Sequence, residues 1–252
     1  MISTFTALLA AHLLADFILQ TEWLVARKGK LKYLSLHVLL VAIAAALAIG
    51  AQTLVAAFAI GVIAATHMAL DYVKLHHLGN KLLAFALDQF GHLVVVLGIA
   101  FCIPTLMTTG WWAALPGDAQ LAYYAGLTLV SGLIVVVPLG GILIKKLVEG
   151  LPSPPPLAQG VTAPTSIVGM AKGGQYIGWL ERGLTFLFVL TGRYEAVGFL
   201  LTAKSILRFG DIRHSNDRHI QEYIIIGTML SFGWGFVAAV LTVKALAYWG
   251  LS

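Results

Sequence analysis

Charge is scarce in this sequence. Asp, Glu, Lys and Arg make up 11% of its 252 residues, where a soluble globular chain carries about 25%. With 59% hydrophobic residues and a mean hydropathy of +0.89, that deficit excludes an ordinary water-soluble domain and indicates a polytopic membrane protein. Cys102 is the single cysteine, so a disulfide framework and a thiolate zinc site are both excluded. The net charge is +5, yet no basic block is dense enough for a nucleic-acid surface. Membrane lipid is the expected partner, nucleic acid is not, and nothing in the sequence points to a protein partner. G-x-S-x-G and H-E-x-x-H are absent, as is a glycine-rich loop between a strand and a helix. The opening stretch MISTFTALLAAHLLAD has no basic n-region, so it is expected to be a retained first helix rather than a signal peptide.

What is present is a series of apolar runs. Helices are predicted over residues 3–20, 34–50, 54–73, 82–103, 121–144, 175–191, 196–209 and 221–249. The expected fold class is therefore all-α, a polytopic transmembrane helical bundle of about eight spans with both termini outside. The seventh run is short for a crossing: at about 1.5 Å per residue it reaches about 21 Å, against a hydrocarbon core of about 30 Å. Pro104 is expected to end the fourth helix and Pro138 to kink the fifth. Paired Trp111 and Trp112 suit an interfacial belt. Residues 147–174, with Pro152, Pro154, Pro155, Pro156 and Pro164, read as a cytoplasmic linker. The expected organisation is a four-helix His/Asp-rich bundle over 1–104, an extracytoplasmic loop and fifth helix over 105–146, the linker, and three C-terminal helices over 175–252. Orientation rests on alternate loops being basic. Arg27, Lys28, Lys30 and Lys32 follow the first run and Lys74 and Lys81 the third, while residues 104–120 contain no basic residue.

Titratable side chains interrupt the first four runs: His12 and Asp16, His37, His67 and Asp71, Asp88 and His92. Each costs about 2.5–3.5 kcal/mol in the bilayer centre on insertion scales, so together they must satisfy one another. Three of the pairs are spaced i, i+4, which places both members on one helix face. Gln20 continues the first stripe. The order inverts with helix direction, His-x3-Asp on the first and third helices and Asp-x3-His on the fourth, as antiparallel helices require if the carboxylates are to share one depth. All seven groups fall about 3–17 Å inside the cytoplasmic ends of their helices by rise per residue. His and Asp from facing helices are metal ligands. The expected cofactor is one or two divalent ions, zinc first, with groups in excess of four ligands serving as partners that orient the imidazoles. A proton or ion pathway and a purely structural polar core are the alternatives. No basic residue lies inside these four helices, which speaks against a histidine-nucleophile phosphatase.

A second polar cluster, Glu181-Arg182, Lys204, Arg208, Asp211, Arg213 and Glu222, falls on the last three helices and the loop between the last two. It reads either as snorkelling and salt bridging or as a pocket for an anionic head group formed by Lys204, Arg208 and Arg182. If the first centre is a hydrolase, Lys204 and Arg208 are the candidates to hold a substrate phosphate.

The motifs His12-Leu-Leu-Ala-Asp16-Phe-Ile-Leu-Gln20, His37, His67-x3-Asp71-x2-Lys74 and Asp88-Gln89-x2-His92 resemble those of the bacterial membrane proteins of domain-of-unknown-function family 3307. Gly178-Trp-Leu-Glu181-Arg182, Gly198-Phe-Leu-Leu-Thr-Ala-Lys204-Ser205-Ile-Leu-Arg208-Phe and Glu222-Tyr-Ile-Ile-Ile-Gly-Thr look like the C-terminal half of its longer members. The resemblance implies a bacterial inner-membrane protein and assigns no activity. More loosely, the His/Asp pattern is similar to bacterial membrane-bound metal-dependent hydrolases. The functional expectation is an integral membrane metalloprotein with an intramembrane His/Asp site near the cytoplasmic leaflet, acting as a metal-dependent hydrolase of a lipid-like or phosphorylated substrate. Catalytic residues are not assigned. The alternatives are a proton or metal-ion transporter and a structural membrane subunit.

Overall fold

The computed structural model describes residues 1–150, 173–214 and 218–251, with backbone alone for 207–214, 218–221, 223 and 224. Most of the expected linker, residues 151–172, lies outside the described residues. Among them the secondary structure is entirely helical: α1 (Ile2–Leu14), α2 (Glu22–Val25), α3 (Leu31–Ile49), α4 (Leu54–Val73), α5 (Leu82–Cys102), α6 (Gly117–Ile134), α7 (Gly140–Glu149), α8 (Gly173–Leu190), α9 (Tyr194–His214) and α10 (Arg218–Ala247). Among the described residues, six helical segments are long and apolar enough to cross a membrane: Ile2–Leu19, Leu31–Ile49, Leu54–Leu78, Leu82–Cys102, Gly117–Glu149 and Ile225–Ala247. The chain is a multi-pass helical membrane protein. α8 and α9 are not among the six; they carry Glu181, Arg182, Glu195 and Lys204 and are more polar along their length. The seventh predicted helix is longer than expected, 21 residues from Tyr194 to His214.

The chain divides into two compact units, residues 1–134 with 244–252, and residues 135–243. In the first, α1 packs against α3, α5 and α6, α3 against α4, and α4 against α5. The seams are built largely of alanine: Ala7, Ala11 and Ala15 face Ala44, Ala45, Ala48, Ala56 and Ala59 in one core with Leu8, Val41, Ile63 and Val96. Lipid tails are as apolar as leucine, so helices in a bilayer gain little from burial alone. Small residues let the backbones approach and gain dispersion contact instead.

Three wide turns interrupt the α-helical ladders. Ala15–Leu19 extends α1, Lys74–Leu78 extends α4, and Val135–Leu139, which holds Pro138, joins α6 to α7 as a π-helical segment. Proline lacks an N–H and its ring collides with the preceding turn, and the wider turn at Val135–Leu139 accommodates it. α5 ends at Cys102 before Pro104, as the proline required, and Thr4 Oγ1 donates to the Pro104 carbonyl at 2.9 Å.

The far end of α3 explains the tryptophans. Gly50 ends the helix at φ +67°, the left-handed conformation that glycine adopts without strain. The last-turn carbonyls have no partner within the helix. Trp112 Nε1 donates to Leu47 O at 2.7 Å, Tyr123 Oη to Ala48 O at 2.8 Å, and the Trp111 N–H to Gly50 O at 3.0 Å. Trp112 also stacks on Tyr123 with ring centroids 4.4 Å apart. It therefore caps a helix rather than only marking an interface.

In the second unit, Val136, Phe186, Val189, Ala238 and Ala239 form the apolar core.

Candidate metal centre

The first unit gathers all seven expected side chains: His12 and Asp16 from α1 and its wide turn, His37 from α3, His67 and Asp71 from α4, and Asp88 and His92 from α5. None is more than 9% exposed. The i, i+4 register produces layers. Leu8, His12 and Asp16 succeed one another along the first helix, Ile63, His67 and Asp71 along α4, and Val96, His92 and Asp88 along α5 in the opposite chain direction. A small cavity of about 10 Å³, room for about one water, is lined by His12, His67, His92 and Thr66 with Leu8, Val41, Ala45, Ile63, Val95 and Val96. The chamber thus has an apolar floor, an imidazole layer and a carboxylate layer.

The imidazoles meet at close range. His67 stacks on His92 with centroids 4.0 Å apart, and its centroid lies 5.0 Å from that of His37. His12 lies 5.1 Å from His92 and 5.9 Å from His67. His37 Nε2 and His67 Nε2 are 3.0 Å apart. Asp16 Oδ1 is 3.3 Å from the former and 3.4 Å from the latter. Asp71 Oδ2 is 3.6 Å and 3.4 Å from the same two nitrogens. A tetrahedral ion with bonds of about 2.0–2.2 Å has ligands about 3.3–3.6 Å apart, so the Asp16, His37 and His67 atoms are spaced much as three corners of such a shell, and Asp71 Oδ2 lies at a similar distance from the two imidazole nitrogens. Three groups of side chains offer ligand atoms mutually within 4.8 Å: Asp16, His37 and His67; His12, His67 and His92; and Asp71, Asp88 and His92. Buried Asp16 Oδ1, Asp88 Oδ1 and His92 Nε2 make no hydrogen bond. An unsatisfied buried polar atom costs about 1–3 kcal/mol, and a cation beside Asp16 Oδ1 would remove that cost there.

Four residues outside the expected ligand set complete the arrangement. Lys28, only 6% exposed, places Nζ 2.6 Å from Asp71 Oδ2. Gln20, with its amide oriented to suit both neighbours, donates to the Asp16 carbonyl at 3.1 Å and accepts from Lys28 Nζ. Lys74 Nζ lies 2.5 Å from Asp88 Oδ2. Gln89 Nε2 donates to Asp88 Oδ2 at 3.1 Å and to Asp16 Oδ2 at 3.3 Å, and Gln89 Oε1 lies 3.3 Å from His12 Nε2. Asp16 and Asp88 therefore each have one oxygen held by an amide or ammonium and the other turned to an imidazole, the pattern by which outer partners orient ligating groups. Wide turns adjoin the site at Asp16 and at Lys74, and such turns recur where a side chain must be re-aimed for function.

Of these four, Gln20 was legible as the next residue of the Asp16 stripe, and Lys74 and Gln89 through the motifs that carried the resemblance. Lys28 had no signal, because membrane orientation already accounts for a basic loop.

Residues 4–116 match the family described as "Protein of unknown function (DUF3307)". The match covers somewhat less than half of the chain. Every residue of the chamber lies inside the DUF3307 region, whereas the match does not extend to the C-terminal stretches that also carried the resemblance. No curated protein and no solved structure matches the chain.

The second polar cluster lies in the second unit. The Lys204 ammonium pairs with the Glu181 carboxylate and sits 5.3 Å from the centre of the Phe232 ring. Arg182 is buried, donating from Nη1 to Ser231 Oγ at 3.2 Å and from Nη2 to Val137 O at 3.1 Å. Gly140, Gly141, Gly178 and Gly235 all border its side chain, making room for it. Arg208 lies outside the residues whose side chains are described.

Proposed function

We propose that the DUF3307 region is an intramembrane metal centre in which His37, His67, Asp16 and Asp71 hold one divalent ion, zinc, while Asp88, His92 and His12 form the adjoining wall. The observation that carries this reading is the convergence of Asp16, His37 and His67, whose donor atoms lie 3.0–3.4 Å from one another, with Asp71 Oδ2 3.4 and 3.6 Å from the same two imidazole nitrogens as the fourth donor in reach. Nitrogen and carboxylate donors suit zinc, which imposes no geometry of its own. Charge favours a single ion. The three aspartates are already offset in part by Lys28 and Lys74, so a second divalent ion would leave a large net positive charge in a buried site.

The proposed topology is eight spans with both termini outside, in a bacterial inner membrane. The basic segments after α1 and after α4 would then lie on the cytoplasmic side and place the chamber in that leaflet. The finer functional reading is a metal-dependent hydrolase of a lipid-like or phosphorylated substrate, to which a divalent ion would supply Lewis acidity and activation of water. The apolar lining beyond the imidazole layer supports a closed-ended site over a conduit for ions.

Elemental analysis of the purified protein beside His67→Ala and Asp71→Ala tests the metal assignment. The expected result is roughly one zinc per chain in the wild type and about a tenth of that or less in each variant. Equal metal content in all three would refute it.

A further inference from the structure

We infer that the carboxylate end of the chamber is a binding site for a phosphate group, held by Lys28 and Lys74 together with the ion; this rests on the metal reading above. The starting point is a burial that membrane topology does not require. A basic residue that only fixes orientation belongs in water, yet Lys28 is 6% exposed and the Lys74 side chain 22%. Both ammoniums now face carboxylates, Lys28 that of Asp71 and Lys74 that of Asp88. Three carboxylates and two ammoniums sum to one net negative charge. One divalent ion reverses this to one net positive charge and draws on the same Asp71 oxygen that Lys28 uses. Two cations then share a single carboxylate oxygen, and Lys28 has too little water around it to be solvated. A buried net charge of either sign is costly, so the loaded chamber favours an anionic ligand.

The surroundings point to phosphate. Lys28 and Lys74 reach the carboxylate layer from two different segments, so with the ion they offer three separate cationic partners. A tetrahedral oxyanion has four oxygens to offer such partners, and lysine serves as a point charge for phosphate. Arg27, Lys30, Lys32 and Lys81 add exposed positive charge in the same two segments, where Glu22 is the sole acidic residue. The phosphate can belong to a lipid head group or be free in solution.

The test uses the full-length protein in detergent, loaded with zinc, and titrates inorganic phosphate calorimetrically. Lys28→Met and Lys74→Met are compared with the wild type, and zinc content is measured on every sample. The expected result is that phosphate binds the zinc-loaded wild type and not the chelator-treated protein. Each lysine variant, loaded in zinc excess to offset the loss of a group that holds its aspartate, should weaken phosphate binding by roughly 10- to 100-fold. Vesicles containing phosphatidic acid, set against phosphatidylcholine alone, separate the two sources. Displacement of bound phosphate by the former identifies a lipid head group, and no displacement identifies free phosphate. Phosphate affinity that ignores zinc or both substitutions overturns the inference while leaving the metal centre standing. Lysine variants that cannot be filled even in zinc excess also overturn it, since the lysines would then serve the ligands and not an anion. A wild type that takes up no zinc defeats the metal reading itself.

Discussion

Asp71→Asn separates two roles that meet on one oxygen. Asp71 Oδ2 lies 2.6 Å from Lys28 Nζ and 3.4 Å and 3.6 Å from the Nε2 atoms of His67 and His37. The substitution preserves shape and removes charge. Its first effect is on metal. Four-ligand zinc sites have apparent binding energies of about 10–16 kcal/mol, so one donor in four accounts for about 2.5–4 kcal/mol, or roughly 10²- to 10³-fold in affinity. Its second effect is on the metal-free fold. Lys28 is 6% exposed and loses its counter-ion, and removing one partner of a buried pair costs about 3–5 kcal/mol. The double variant Asp71→Asn/Lys28→Met deletes the stranded ammonium as well. It is expected to regain most of the thermal stability and none of the zinc affinity. Chelator-competition titration reads the first effect, and thermal unfolding of metal-free protein in detergent reads the second. Zinc affinity in Asp71→Asn within about threefold of wild type, or a double variant as unstable as the single, would refute the reasoning.

Gln89→Leu removes the amide that holds Asp16, Asp88 and His12 together; zinc affinity is expected to fall about 10- to 100-fold, as for other orienting partners, in the same titration. Metal uptake competes with protons for the His37 and His67 nitrogens, so affinity should weaken steadily as pH falls and recover on return, which a titration series across pH would show. Gly110→Ala places a Cβ against the carbonyl oxygens of Ile49 and Gly50; a loss of about 1–3 kcal/mol is expected from overpacking, seen as a lower unfolding midpoint. Arg182→Leu abandons Ser231 Oγ and Val137 O and should destabilise by about 1–3 kcal/mol while zinc content stays at the wild-type level, since no chamber residue lies in the second unit.

The chamber was legible because hydrocarbon makes ionisable groups conspicuous. In a soluble chain His12, His67 and Asp88 would be unremarkable; in apolar runs their i, i+4 partners and the inverted order on α5 fixed both face and depth. What escaped was set by tertiary context. Lys28 looked like one more orientation charge until the fold buried it. Nothing in Ala15–Leu19 announces a wide turn, whereas Pro138 at least marked where a ladder must break. Trp112 satisfied the rule for interfacial aromatics, and only the position of the Leu47 carbonyl shows that it caps a helix. The added length of α9 was hidden by the charges after Phe209, which ended the apolar pattern without ending the helix.

X-ray absorption at the zinc edge of the loaded, full-length protein addresses the centre itself. The account expects a first shell of four nitrogen and oxygen atoms at about 2.0–2.1 Å with outer-shell scattering from two imidazoles, lost in His37→Ala/His67→Ala. A spectrum unchanged in that double variant, or a first shell containing sulfur, would contradict it.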